Sequence, residues 1–199
     1  GPVMEATGLR LGQAVLAISS YARSGDPDVM HDAGVAIAAL ATFYHATDSV
    51  FVLLGRALVS DPTTGNFAGR QIAEVGVALG FTPEQTAEAV TNGIDHGLTV
   101  SDAINVLARL TAYDSATFGP VAGAAIAGLT DDHFTAAQAV DMLLGLSGVS
   151  DYSKLLVLVG LAGAGTADDQ LAAGRGIAYL PTFDSAFLPQ IPGNAIGMV

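Results

Sequence analysis

Thr82-Pro83-Glu84-Gln85 is where the fold becomes readable: Thr at a helix N-cap, Pro at the first helical position and Gln three residues after the cap. Together they satisfy the free backbone N–H groups of a first turn. Thr99-Val100-Ser101-Asp102, Thr130-Asp131-Asp132-His133 and Thr166-Ala167-Asp168-Asp169 each set a Thr and acidic or polar groups ahead of an apolar run. This predicts helices that restart at a regular interval across the segment 71–170.

The segment also repeats itself. Sliding Asp102 onto Gln138 pairs Ala103 with Ala139, Ile104 with Val140, Leu107 with Leu143, Leu110 with Leu146, Val121 with Val157 and Thr130 with Thr166. Sliding Gln71 onto Gln138 pairs Leu79 with Leu146, Val90 with Val157, Gly93 with Gly160 and Thr99 with Thr166. Units of roughly 31 to 36 residues follow, the size of helix-turn-helix solenoid repeats. A fainter copy starts at Asp32-Ala33, with Ile37 and Leu40 in the places of Leu107 and Leu110.

Outward from that core, the pattern predicts helices over 9–21, 28–44, 47–59, 67–79, 83–95, 102–111, 115–128 (or from Pro120), 135–146, 152–161 and 167–180. The uncharged run Ala33 to Phe43 predicts a central core helix, being too short for the roughly 20 residues a bilayer span needs. In the 102–111 helix, Ile104, Leu107, Ala108 and Leu110 fall inward, and Asn105 and Arg109 outward. The 152–161 helix is apolar nearly all round and is expected to be the most buried. Gly119, Gly123 and Gly128, with Gly160 and Gly163, predict close helix-helix approach, because Gly costs a helix roughly 1 kcal/mol and is placed where a larger residue would be expected. The expected fold is all-α: about eight to ten short helices as stacked hairpins. One helical domain is expected over 1–180, with a sub-boundary near 60–66, and an extended Pro-rich tail over 181–199.

Composition narrows the function. The 199 residues are 51% hydrophobic and 13% charged, about half the usual charged share, which suggests helix faces buried or covered by a partner. A net charge of −12 repels phosphate backbones and anionic membranes, excluding nucleic-acid binding as the expectation. No cysteine means no disulfide, thiolate metal site or cysteine nucleophile. The single Lys154 and the Ala/Gly richness suggest a GC-rich bacterial source. An acidic, Lys-poor, cysteine-free chain also resembles in composition pieces of bacterial proteins exported by type I secretion, although their Gly-Gly-x-Gly-x-Asp calcium nonapeptides do not occur here. Gly1-Pro2 reads as the remnant of a cleaved tag, so an excised piece of a larger protein is expected.

Motifs for chemistry are few. His31, His45, His96 and His133 include three that adjoin Asp, but adjacent residues point to different sides of a helix and no His-x-x-x-His spacing occurs. No metal site or cofactor is expected. His96 reads as a helix C-terminal residue, and Tyr44-His45 as core packing rather than haem ligation. Asp131-Asp132 and Asp168-Asp169 sit where helix N-termini favour negative charge, and Glu84 and Glu88 read as solvated surface. Gly-x-Ser-x-Gly, Rossmann, P-loop and EF-hand patterns are all missing, so no catalytic residue is assigned.

Pro181 to Gly193 carries three prolines together with Phe183, Phe187, Leu188 and Ile191. Prolines exclude a long helix, while a purely solvated linker would not need the apolar groups. That segment is expected to strap across the final helices and cover their exposed apolar surface, or else to dock on another copy as an interaction tail. The functional expectation is a non-catalytic protein-interaction or assembly module, part of a larger bacterial secreted or surface-associated protein, that binds a protein partner or itself. Its alternative is a carrier of a small apolar ligand in a cavity lined by Phe43, Tyr44, His45, Phe51 and Phe67. An enzyme of unknown reaction stands third.

Overall fold

The computed structural model describes residues 10–24, 26–60, 65–131 and 134–180. Within them the chain is all-helical, with ten α-helices and no strand. In order these are α1 (Leu11–Tyr21), continued by a 3-10 turn Ala22–Ser24, α2 (Pro27–Phe43), α3 (Thr47–Ser60), α4 (Gly65–Ala78) and α5 (Pro83–Asn92). There follow α6 (Val100–Leu110), α7 (Ser115–Ala127), α8 (Ala136–Gly145), α9 (Asp151–Ala164) and α10 (Ala167–Ala178).

Capping explains where these helices begin. Thr82, Thr99, Thr135 and Thr166 each accept the N–H three residues on, while Gln85, Asp102, Gln138 and Asp169 reach back to the cap N–H. Asp114 caps α7 and Ser150 caps α9. Thr130 is not a cap, contrary to the expectation from sequence. Its Oγ1 lies 2.9 Å from the Ala127 carbonyl and 2.8 Å from Asp169 Oδ1, so it closes the end of α7 against the start of α10. Asp131 accepts the N–H of Phe134 in a turn, and α8 starts only after Thr135.

The ten helices form two rows. Helices α1, α3, α5, α7 and α9 pack in succession along one row, and α2, α4, α6, α8 and α10 along the other. Sequential helices cross between rows, which is the stacked-hairpin arrangement of a solenoid. The repeat has a structural meaning here. A shift of 36 carries the cap Thr99 onto Thr135 and the cap Asp114 onto Ser150, and it superposes α6 on α8 and α7 on α9. Ala103, Ile104 and Leu107 are buried, as are Ala139, Val140 and Leu143. The hydrophobic cluster runs from Val15 through Ile72, Leu107 and Leu158 to Leu180.

Three expectations need correction. The run Ala33 to Phe43 does not make α2 a central helix: Met30, Ala33, Gly34, Ile37, Ala38 and Ala41 are buried, whereas Val35 and Phe43 are exposed. Alanine tolerates either environment, so an uncharged run rich in it does not report burial on all sides. Helix α6, with seven of its 11 residues buried, is more completely enclosed than α9, with eight of 14. Arg109 on α6 points inward and is 2% exposed. A helix inside a row has neighbours on both flanks, which a single amphipathic stripe does not reveal.

Glycine makes the tightest contact in the array. A Cβ at Gly119 would strike Leu156, one at Gly123 the Val157 carbonyl and the Leu161 amide, and one at Gly160 the Pro120 carbonyl. Helices α7 and α9 therefore meet backbone to backbone, as the small-residue pattern predicts. Gly163 has no neighbour there and Gly128 meets just the Ala125 carbonyl of its own turn, so these two take no part.

Candidate functional site

The residues proposed to line an apolar cavity are dispersed. Phe51 is fully buried and stacks on Phe81 with ring centroids 6.2 Å apart, so it is core. Phe43 is 58% exposed and meets Tyr44 edge-on at 5.0 Å. His45 is exposed with a positive φ of 50° at the turn into α3. Phe67 lines a separate cleft. The five side chains thus serve three different environments. Phe183, Phe187, Leu188 and Ile191 lie outside the described residues.

Two described histidines make carboxylate contacts across the array. His31 Nδ1 is 3.1 Å from Glu74 Oε2, tying α2 to α4. His96 Nε2 is 3.7 Å from Asp48 Oδ2; it lies beyond the end of α5, in the turn that Arg56 also holds by donating to the Gly97 carbonyl at 2.9 Å. His133 and Asp132 lie outside the described residues. Among the described residues no three His, Asp or Glu side chains gather as metal ligands, and no helix is long and apolar enough to cross a membrane.

Of four surface depressions that stand out among the described residues, one, about 470 Å³, lies between α1 and α2 beside Ile18, Tyr21, Val29 and Ala33. The first of the other three, about 450 Å³, lies between α8 and α10 and is walled by Val140, Leu144, Leu171, Ala172, Arg175 and Tyr179. Leu171 is 41% and Tyr179 78% exposed along its edge. A second, about 530 Å³, runs between α5 and α7 past Ala87, Thr91, Val121, Ala124 and Leu129, with Glu84 and Glu88 on its rim. The Glu84 carboxyl is held below its ordinary pKa by its own backbone N–H and by the Thr82 hydroxyl, so it stays charged there.

The third is polar. About 450 Å³ in volume, it opens where α4, the end of α6 and the start of α9 converge, and is lined by Asn66, Phe67, Arg70, Thr111, Ser150 and Ser153, among others. Its back wall is organised by Arg109. The guanidinium donates from Nε to Asn105 Oδ1 at 2.8 Å, from Nη1 to Asn66 Oδ1 at 3.3 Å and from Nη2 to the Ser147 carbonyl at 3.1 Å. Asn66 in turn donates to the Gly148 carbonyl. These acceptors are all neutral, and burial pulls the Arg109 pKa down from its ordinary value. Arg70 donates Nε to the Ala112 carbonyl at 2.7 Å and is otherwise exposed to the cleft.

Sequence reading missed this cleft because its parts come from positions 23 and 30, 66–70, 109–112 and 147–153, and no periodicity links them. Lys154 also escaped notice as a buried group; its Nζ caps the Leu144 carbonyl at 2.8 Å. No protein-family model matches the chain, and neither a curated protein nor a solved structure matches it significantly.

Proposed function

We propose that the chain is a non-catalytic protein-interaction module whose α8–α10 groove receives an apolar segment, namely the 183–191 tail of a second copy. The observation that carries this reading is a flank of α10 that no described residue covers. A solenoid closes its ends with helices that turn a polar face outward. Beside the charged Asp168 and Arg175, α10 shows Leu171 and its cap residue Tyr179 to solvent along a groove walled by Val140, Leu144 and Ala172. Phe183, Phe187, Leu188 and Ile191 supply apolar groups of matching character. Low charge over the whole chain lowers the desolvation cost of such a contact. The apolar-ligand alternative gains nothing from Phe43, Tyr44, His45, Phe51 and Phe67, which converge on no common cleft among those described.

Native mass spectrometry tests the reading. The full chain is expected at an integer multiple of its mass, and the chain lacking 181–199 as a monomer. Association that survives the deletion removes the tail from the interface, and a full-length chain that is monomeric at high micromolar concentration overturns self-association. Tyr179→Asp on the groove edge is expected to weaken the assembly in the same way, because it places a charge where an apolar group would dock.

A further inference from the structure

We infer that the polar cleft beside Arg70 binds a small organic anion, a phosphate or carboxylate head on a short apolar body. The inference goes beyond the assembly reading and does not depend on it. The chain has six arginines and one lysine against nineteen acidic residues, yet none of the described residues lining this cleft is acidic. Arg70 and Arg23 border it, and Arg109 stands directly behind Asn66 and Gly148. Arg109 is the telling member: a guanidinium 2% exposed, held by an amide, a second amide and a carbonyl, with no carboxylate among its described partners. A buried cation without a counter-charge is costly, and an anion in the adjoining cleft would offset that cost. The Nη groups of Arg70 are presented to the same space while its Nε is anchored on Ala112, leaving the forked end for a two-point contact.

Two further features suit an anion. Helix α9, 14 residues long, starts at the cleft with Ser150 at its cap, and Ser150 and Ser153 place hydroxyls on the lining 2.9 Å apart. Met30, Phe67 and Val149 form the apolar part of the lining, which accepts a ring or short chain. Carboxylates stand nearby but off the lining: Asp151 follows Ser150, and Glu74 is one turn along α4 from Arg70, engaged with His31. They set a limit on the charge the site tolerates and favour a single anionic group over a polyphosphate.

Isothermal titration of the full chain at fixed ionic strength, with inorganic phosphate, phenyl phosphate and benzoate as probes, tests this. Saturable one-to-one binding is expected, with an aromatic probe tighter than inorganic phosphate; whichever of phenyl phosphate and benzoate binds more tightly names the head group. Arg70→Gln is expected to weaken binding by about tenfold or more, and Arg56→Gln, on α3 and off the lining of the cleft, to leave it unchanged. In the unsubstituted protein the amide resonances of Gly148 and Ser150 are expected to shift on titration, a readout that stands whether or not Arg70→Gln folds. Absence of saturable binding for all three probes, shifts that bypass Gly148 and Ser150, or undiminished affinity in a folded Arg70→Gln chain overturns the inference.

Discussion

The α7–α9 and α8–α10 contacts are successive steps of the two rows, and they are built in opposite ways. Between α7 and α9, Gly119, Gly123 and Gly160 remove every side chain that would separate the helices, and backbone meets backbone. Between α8 and α10, Gly176 admits Val140, with Leu158 of α9 alongside, but the remainder of the seam stays open as a groove edged by Leu171 and Tyr179. One step spends its small residues on backbone contact. The other has Ala136 and Ala137 on α8 and Ala172 and Gly176 on α10, yet stays open as a groove among the described residues.

The strongest way to break the contrast is to put a side chain into the closed step. Gly123→Leu drives a branched group into the Val157 carbonyl and the Leu161 amide, and is expected to cost about 3 kcal/mol or more in urea unfolding. Gly163→Ala, on the same α9 but facing open space, is expected to gain up to about 1 kcal/mol from helix propensity alone. Equal effects at the two positions would mean that close approach is not what α7 and α9 need glycine for.

Arg109→Met comes next. It removes three hydrogen bonds, one to Asn105 within α6 and two that join α6 to Asn66 and Ser147, and leaves their acceptors unmet, with an expected loss of about 2 kcal/mol. A neutral outcome would mean that the buried charge costs as much as its bonds return. Thr99→Ala, which opens the capping box of α6, should lower stability by about 1 kcal/mol, visible as a lower melting temperature.

The smallest effect expected is one of pH. Asp114 caps α7, and the Thr117 hydroxyl, then the Thr117 and Ala116 N–H groups, hold its carboxyl below the ordinary 3.8. A group with a depressed folded pKa binds its proton more readily in the unfolded chain. Its contribution is therefore present above 3.8 and is lost as pH falls through the lower folded value. The site is exposed, so about 0.5 kcal/mol is expected after solvent screening. Asp114→Asn should flatten the acid limb of the melting curve below about pH 4, and an unaltered limb would assign that limb to other carboxylates.

How far the fold could be read beforehand follows from which forces are local. A capping box needs four consecutive residues, so Thr82, Thr99 and Thr166 were legible as helix starts, and the spacing between them carried the repeat. Thr130 was misread because its hydroxyl is used by Asp169, a partner 39 residues away. Arg109 was read as a solvated residue for a related reason: Ile104 and Leu107 mark one buried face of α6, while the opposite face is covered by Asn66 and the 147–150 turn. The polar cleft assembles from four such distant pieces. The α8–α10 groove was foreshadowed by composition alone, through an excess of apolar residues over what the rows can enclose.

The row arrangement has a mechanical consequence. Each principal helix pair joins elements no more than three places apart in chain order, so tension applied at the two ends passes through the helices in series. Such an array extends by peeling from its ends. Helices with neighbours on one side detach at low force, and the α7–α9 pair, locked backbone to backbone, holds longest. In a single-molecule pulling trace the protein would lengthen in steps near one repeat each, and the last step to yield would be the one that contains Gly123 and Gly160.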